Sequence, residues 1–194
     1  MKKMPMKLKD VKTFVFQSGR SVFTKEQFSR LLSIAPSTAK NYMYLLVKEG
    51  YVKRLRRGVI TFSTDDFINA TQMIEPSYIS AWSALFYHKI VLQAPAKVFC
   101  ITTKNSYNFD DLGFHYYKIT PELFYGYEKT IRENSYYNIA TKEKAVLDMI
   151  YLNLLSPGTL REVRRHLNKN RIKEYLAGYE GKYAKKLNKV LLGA

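Results

Sequence analysis

Cysteine, histidine, acidic residues and long apolar runs are all scarce in this chain, and each scarcity removes a class of function. A single cysteine, Cys100, in 194 residues excludes an intrachain disulfide and fits a reducing cytoplasm. It sits in the apolar run Val98-Phe99-Cys100-Ile101, where a thiol is normally a small core side chain. The three histidines, His88, His115 and His166, are scattered and lack metal-ligand spacing to one another or to Cys100. No phosphate-cradling glycine loop of the P-loop or Rossmann kind is present. Asp110-Asp111 ahead of Leu112-Gly113 reads as a loop turn rather than as paired catalytic carboxylates. No window is apolar over the length that a membrane helix needs. Residues 1–7 are basic but lack the apolar core of a signal peptide. The expectation is a cytoplasmic protein that is not an enzyme, with no catalytic residues, no metal, no cofactor and no membrane partner.

Acids are the most consequential shortage: 16 Asp+Glu face 32 Lys+Arg, a formal net charge of +16. The excess is uneven. Residues 1–70 carry +9, residues 71–160 are neutral, and residues 161–194 carry +7. Solubility alone would not require such clustering. Two basic ends around a neutral middle predict that the ends face a polyanion and that the middle has another task.

What is present in residues 23–62 has the outline of a winged helix-turn-helix. Thr24 with Gln27 three positions on has capping-box spacing. Phe28, Leu31 and Leu32 follow on one helical face. Pro36 interrupts the pattern, because proline restricts the residue before it and is excluded from helix interiors. A second helix is predicted from near Ser37 to Gly50, a favourable left-handed stop. Its apolar face is Ala39, Met43, Leu46 and Val47. Ser37, Thr38, Lys40, Asn41, Tyr44 and Lys48 lie at its start or on its opposite face, where a recognition helix meets base edges and phosphates. Residues 51–55 and 59–62 then read as the strands of a hairpin joined by Arg56-Arg57-Gly58. Lys53, Arg54, Arg56 and Arg57 crowd its tip. These ten positions are the candidate DNA-binding residues.

A first helix is expected over residues 7–17, with Leu8, Val11, Phe14 and Val15 on one side, and a short strand at Val22-Phe23. A connecting helix near residues 67–73 leads to a second part. That part is predicted to hold a helix over residues 77–89, burying Ile79, Trp82, Leu85 and Phe86, and strands at 97–103, 114–119 and 136–140, with a further candidate at 123–127. Thr141 is a plausible cap for a helix that buries Ala145, Val146, Met149 and Ile150, with Glu143 in its first turn. Asp148 can pair with Lys144 one turn earlier. Residues 156–159, Ser-Pro-Gly-Thr, break the chain. The tail is helical, with apolar positions Leu160, Val163, Leu167, Ile172, Tyr175, Leu176, Tyr179, Tyr183, Leu187 and Val190. In it Arg161, Arg164 and Arg165 share one face, and Lys169, Arg171 and Lys173 extend the charge, followed by Lys182, Lys185, Lys186 and Lys189. The first six form a candidate second nucleic-acid surface. The predicted class is α+β: a winged helix-turn-helix domain over residues 1–70, then a mixed α/β domain over 71–194 whose basic helical tail begins near 157.

In the middle part the segments Ser77-Tyr78-Ile79-Ser80 with Ala84-Leu85, Val98 to Thr103, Gly113 to Ile119, Phe124-Tyr125-Gly126 and Glu143-Lys144-Ala145-Val146-Leu147-Asp148 follow one another in order. With the winged helix ahead of them, this order resembles the AbiEi-type antitoxins of type IV toxin–antitoxin (abortive infection) systems, over roughly residues 8–155. The resemblance implies a repressor that binds inverted repeats in duplex DNA of its own promoter; the oligomeric state stays open, with monomers binding cooperatively as one option. It also implies an antitoxin domain that counters a nucleotidyltransferase toxin without requiring a stable complex. The tail after Pro157 falls outside it. Other readings remain open: an RNA- or protein-binding adaptor in which some of the 16 tyrosines stack bases, a ligand-sensing winged-helix regulator, and, more distantly, an enzyme acting on nucleic acid.

Overall fold

The computed structural model describes residues 7–179 together with 184, 187, 188 and 191. Tyr183, Val190, Lys182, Lys185, Lys186, Lys189 and the side chain of Leu8 lie outside the described residues. The architecture is mixed α+β, with a three-stranded and a six-stranded sheet. The chain divides into two compact units, Met1–Glu75 with Thr130–Tyr137, and Pro76–Lys129 with Asn138–Ala194.

The first unit runs α1 (Leu8–Ser18), β1 (Val22–Thr24), α2 (Lys25–Leu32), α3 (Pro36–Lys48), β2 (Lys53–Arg56), β3 (Val59–Thr61) and α4 (Asp66–Met73). Its sheet has the order β1-β3-β2, antiparallel throughout. The capping box forms as the spacing predicts. Thr24 accepts the Gln27 amide at 3.2 Å, and the Gln27 side chain accepts the Thr24 amide at 2.8 Å. Pro36 is the first residue of α3 rather than an interruption, because an N-terminal helical position has no amide bond to lose. Val11, Phe23, Phe28, Leu32, Ala39, Met43, Leu46 and Ile60 make one core. Edge-to-face contacts of Phe23 with Phe28 and Phe62 fix its centre. Each such buried ring contributes about 1.5–3 kcal/mol through removal of apolar area from water.

Two expectations for this unit are corrected. Phe14 is 41% exposed, because the face that α1 turns inward passes through Val11 and Val15, which are buried, and leaves Phe14 at its edge. Tyr51 and Val52 form a bend, so β2 begins at Lys53 and the connection is the tighter pair Arg57-Gly58, with Gly58 at φ +78°. Arg54 opposes Ile60 and Arg56 opposes Val59, leaving Leu55 as an extra residue on the exposed strand, a bulge that increases its twist.

Gln72 of α4 anchors this unit. Its side-chain oxygen accepts the amides of Ser21 and Val22, each at 3.0 Å, and its amide group donates to Ser135 Oγ and the Tyr136 carbonyl. Arg20 adds an ion pair to Glu75 at 2.9 Å and a bond to the Gln72 carbonyl.

The second unit runs β4 (Ser77–Ile79), α5 (Ala81–Tyr87), β5 (Val98–Thr102), β6 (Tyr107–Phe109), β7 (Phe114–Lys118), a 3-10 turn (Pro121–Leu123), β8 (Tyr127–Arg132), β9 (Ser135–Ala140), α6 (Lys142–Tyr151), α7 (Pro157–Arg164) and α8 (Lys169–Leu176). The tip of the β8–β9 hairpin counts with the first unit. The sheet order is β6-β7-β5-β4-β9-β8. Strands β4–β9 and β5–β7 are parallel, whereas β4–β5 and β6–β7 are antiparallel.

Residues 77–79, read as the start of a helix, are instead a central strand. With a neighbour on both sides its backbone bonds outweigh local propensity, and three residues are too few to display a period. Phe86 is consequently exposed at the end of a shorter helix. The expected strand at 123–127 is a turn, and the strand lies further on, at β8. Strand β6 was not foreseen. The Ser156-Pro157 break begins α7, with Ser156 as its cap and Pro157 in its first turn.

Candidate nucleic-acid interface

The sequence gives the first unit a cationic hairpin and a polar helix face, and folding brings part of each to one concavity of about 720 Å³. Its walls are Lys40, Met43 and Tyr44 of α3, the hairpin residues Arg54, Arg56, Arg57 and Gly58, and Thr24, Lys25 and Glu26 at the start of α2. A bond from the Lys25 amide to the Gly58 carbonyl, 3.1 Å long, ties the hairpin turn to that helix start. Strand β3, buried along its length between β1 and β2, supplies the rigid base.

Of the ten residues singled out in the sequence, Lys40, Tyr44, Arg54, Arg56 and Arg57 line the concavity. Ser37, Thr38, Asn41 and Lys48 are exposed along α3, and Lys53 is exposed at the start of β2, outside the lining. Lys40, Arg54 and Arg57 form no ion pair among the described residues. Lys25 belongs to the site and was missed. Its signal was the capping box itself, since the residue after the cap sits at the mouth of the helix. Its ammonium lies 3.3 Å from Glu26. Backbone and Lys25 hydrogen bonds hold the Glu26 carboxyl below its ordinary range, so an acid stands on the rim as a charge. The arrangement suits an extended polyanion, with long cations to meet phosphate oxygens and a ring and amide beside them to meet flat, polar edges.

In the second unit three of the segments that carry the resemblance, those holding Tyr78 and Ser80, Tyr125 and Gly126, and Lys144 and Asp148, meet at a buried polar cluster. Lys144 and Asp148, one turn apart on α6, form an ion pair with side chains 0% and 1% exposed. Asp148 also accepts the hydroxyls of Tyr78 (3.0 Å) and Ser80 (2.8 Å). Burial raises the Asp148 carboxyl above the usual carboxylate range, against Lys144 and the two hydroxyls, which favour its charge. Lys144 lies over the rings of Tyr78 and Tyr125. Gly126 has φ +74°, and a Cβ there would lie 3.0 Å from Cγ of Lys144, so two separate demands require glycine. Thr141 caps α6 as expected. Glu143 stands in the first turn as expected, and it is also buried and accepts the amide of Asn168 at 2.9 Å.

No family model matches the chain, and no curated protein matches it.

The remaining candidates are dispersed. Cys100 is fully buried, and burial pushes its thiol far above its ordinary range. His88 bonds the Ala140 carbonyl at 2.8 Å, and His115 packs on Tyr117 with ring centres 4.3 Å apart. Asp110 pairs with Lys97. Among the described residues there is no metal-ligating cluster, and no helix is long and apolar enough to cross a membrane. In the tail, Arg161, Arg165, Lys169, Arg171 and Lys173 are exposed and Arg164 is half-buried.

Proposed function

We propose that the first unit is a winged helix-turn-helix that binds duplex DNA, with α3 as recognition helix and β2–β3 as wing. We further propose that the protein represses its own operon and that the second unit is the antitoxin part of a type IV system, opposing a nucleotidyltransferase toxin without a stable complex. The observation that carries the DNA reading is the shared concavity, in which a recognition-type helix face and three wing arginines meet one space. The antitoxin reading rests on the resemblance and on the meeting of three of its segments at one cluster. We assign no catalytic residue, metal or cofactor, and expect the protein to act in the cytoplasm.

Asn41 can bond an adenine edge bidentately, and it is exposed on the helix that also bears Lys40 and Tyr44. The test uses the full chain and Asn41→Ala in two assays: repression of a reporter fused to the chain's own upstream region, and rescue of growth when the adjacent nucleotidyltransferase gene is expressed from an unrelated promoter. The expected result is loss of repression with rescue retained. Loss of both would reduce the antitoxin effect to repression of toxin synthesis. Absence of any preference for the upstream region over random duplex would remove the repressor reading.

A further inference from the structure

The sequence of α7, the following turn and α8 holds six cations and two acids over residues 161–176. The helices settle which way these point. Val163, Ile172 and Leu176 are buried, and Tyr179 follows them inward. The Asn168 side chain caps α8 through the amides of Asn170 and Arg171, at 2.9 and 3.3 Å, which fixes the corner between the two helices. Arg161 and Arg165 stand one turn apart, as do Lys169 and Lys173, and all four are exposed.

Two cations elsewhere in this unit find acids, whereas Lys89, Lys104, Lys118 and Lys142 form no ion pair among the described residues. Lys97 pairs with Asp110, and Lys144 with Asp148. On α7 and α8 the acids are present at pairing distance in sequence, Glu162 before Arg165 and Glu174 after Arg171. Yet none of the six cations forms an ion pair among the described residues. The same condition holds for Lys40, Arg54 and Arg57 at the concavity of the first unit.

The chemistry of the surface selects its occupant. A protein partner is held mainly by buried aromatic or aliphatic anchors. Among the described residues of this segment no large apolar side chain is exposed. Unpaired bases are held by stacking on aromatic rings. Here Tyr179 is buried and Tyr175 is half-buried, its hydroxyl accepting from Thr141, which leaves the imidazole of His166 as the exposed ring. What remains among the described residues is a spread of cations without ion pairs or apolar anchors, with one imidazole as the exposed ring. We propose that the exposed face of α7 and α8 is a second binding surface, for the phosphate backbone of duplex DNA, that reads no sequence. It stands independently of the function proposed for the first unit.

The experiment measures binding of the full chain to a random-sequence duplex across a salt titration. It compares the natural chain with R161Q/R165Q/K169Q/K173Q and with R161K/R165K. These side chains make no ion pair among the described residues, so the glutamine variant is expected to keep the natural circular dichroism and urea midpoint. The proposal expects the slope of log K against log salt to fall by roughly 2–4 in the glutamine variant, at about 0.9 per lost phosphate contact, and to be retained in the lysine variant. It also expects binding to random duplex to survive in a chain carrying Arg54→Gln and Arg57→Gln, and to disappear when both sets are combined. An unchanged slope and affinity in the glutamine variant would overturn it. So would a loss confined to single-stranded RNA, or to an acidic protein, with duplex binding intact. Failure of the repressor reading looks different: operator and random duplex would bind alike, while the tail variant would still lower the slope.

Discussion

The arginines of the hairpin in the first unit and the buried lysine of the second are cations held under opposite conditions. Arg54 and Arg57 are exposed without an ion pair among the described residues, so their charge faces solvent and any arriving anion. Lys144 is removed from water, and its cost is met by Asp148, two hydroxyls on that carboxylate and two flanking rings. The difference teaches that net charge is a poor guide to what a charge does. An unpaired exposed cation adds little to folding and keeps its interaction energy for a ligand. A paired buried cation spends that energy inside the fold and is bound to its partner's fate.

The largest effect should follow from breaking the buried pair. Lys144→Met leaves Asp148 without its cation and is expected to cost about 3–5 kcal/mol of unfolding free energy in urea. Lys144→Met with Asp148→Leu should recover only part of this, because Tyr78 and Ser80 lose their acceptor. Full recovery would show that the hydroxyls are satisfied elsewhere.

Next is Asn41→Ala, expected to weaken binding to the chain's own upstream duplex by about 1–3 kcal/mol and to affect random duplex much less. Competition titrations read the difference, and equal losses would show that α3 does not read bases. Thr24→Ala should then cost about 1 kcal/mol of stability through loss of the cap on α2. Because that cap shapes the helix start beside the hairpin, a modest loss of DNA affinity should accompany it. The smallest stability effect belongs to Arg54→Gln with Arg57→Gln, within about 0.5 kcal/mol. The same pair should lower the salt slope by roughly 1.8. A large stability loss without a slope change would collapse the contrast between the two kinds of cation.

Elements whose determinants are local were legible in the sequence. The Thr24–Gln27 box, the helix stop before Gly50, the Thr141 cap and the apolar faces of α3 and α6 depend on spacings of three or four residues, and they appear where those spacings put them. The charge map likewise marked both cationic surfaces. Strand β4 was not legible, since three residues acquire their identity from neighbours that come later in the chain, at Cys100 to Thr102 and at Ile139. Strand β6 and the shift of β8 escaped for the same reason.

The candidate site divides along the same line. Sequence alone determined which side chains are cationic, which helix face is polar, and that Lys144 and Asp148 lie one turn apart, because these follow from composition and helical period. Tertiary structure alone decided that Lys25 joins Lys40, Tyr44 and the hairpin arginines around one space, that Asn41 stands beside it rather than in it, and that Tyr78 and Ser80 reach Asp148 across 70 and 68 residues. The physical reason is that charge and periodicity are properties of the chain. Whether a charge is spent inside the fold or kept for a ligand depends on solvation and partners, which exist only once distant segments have packed.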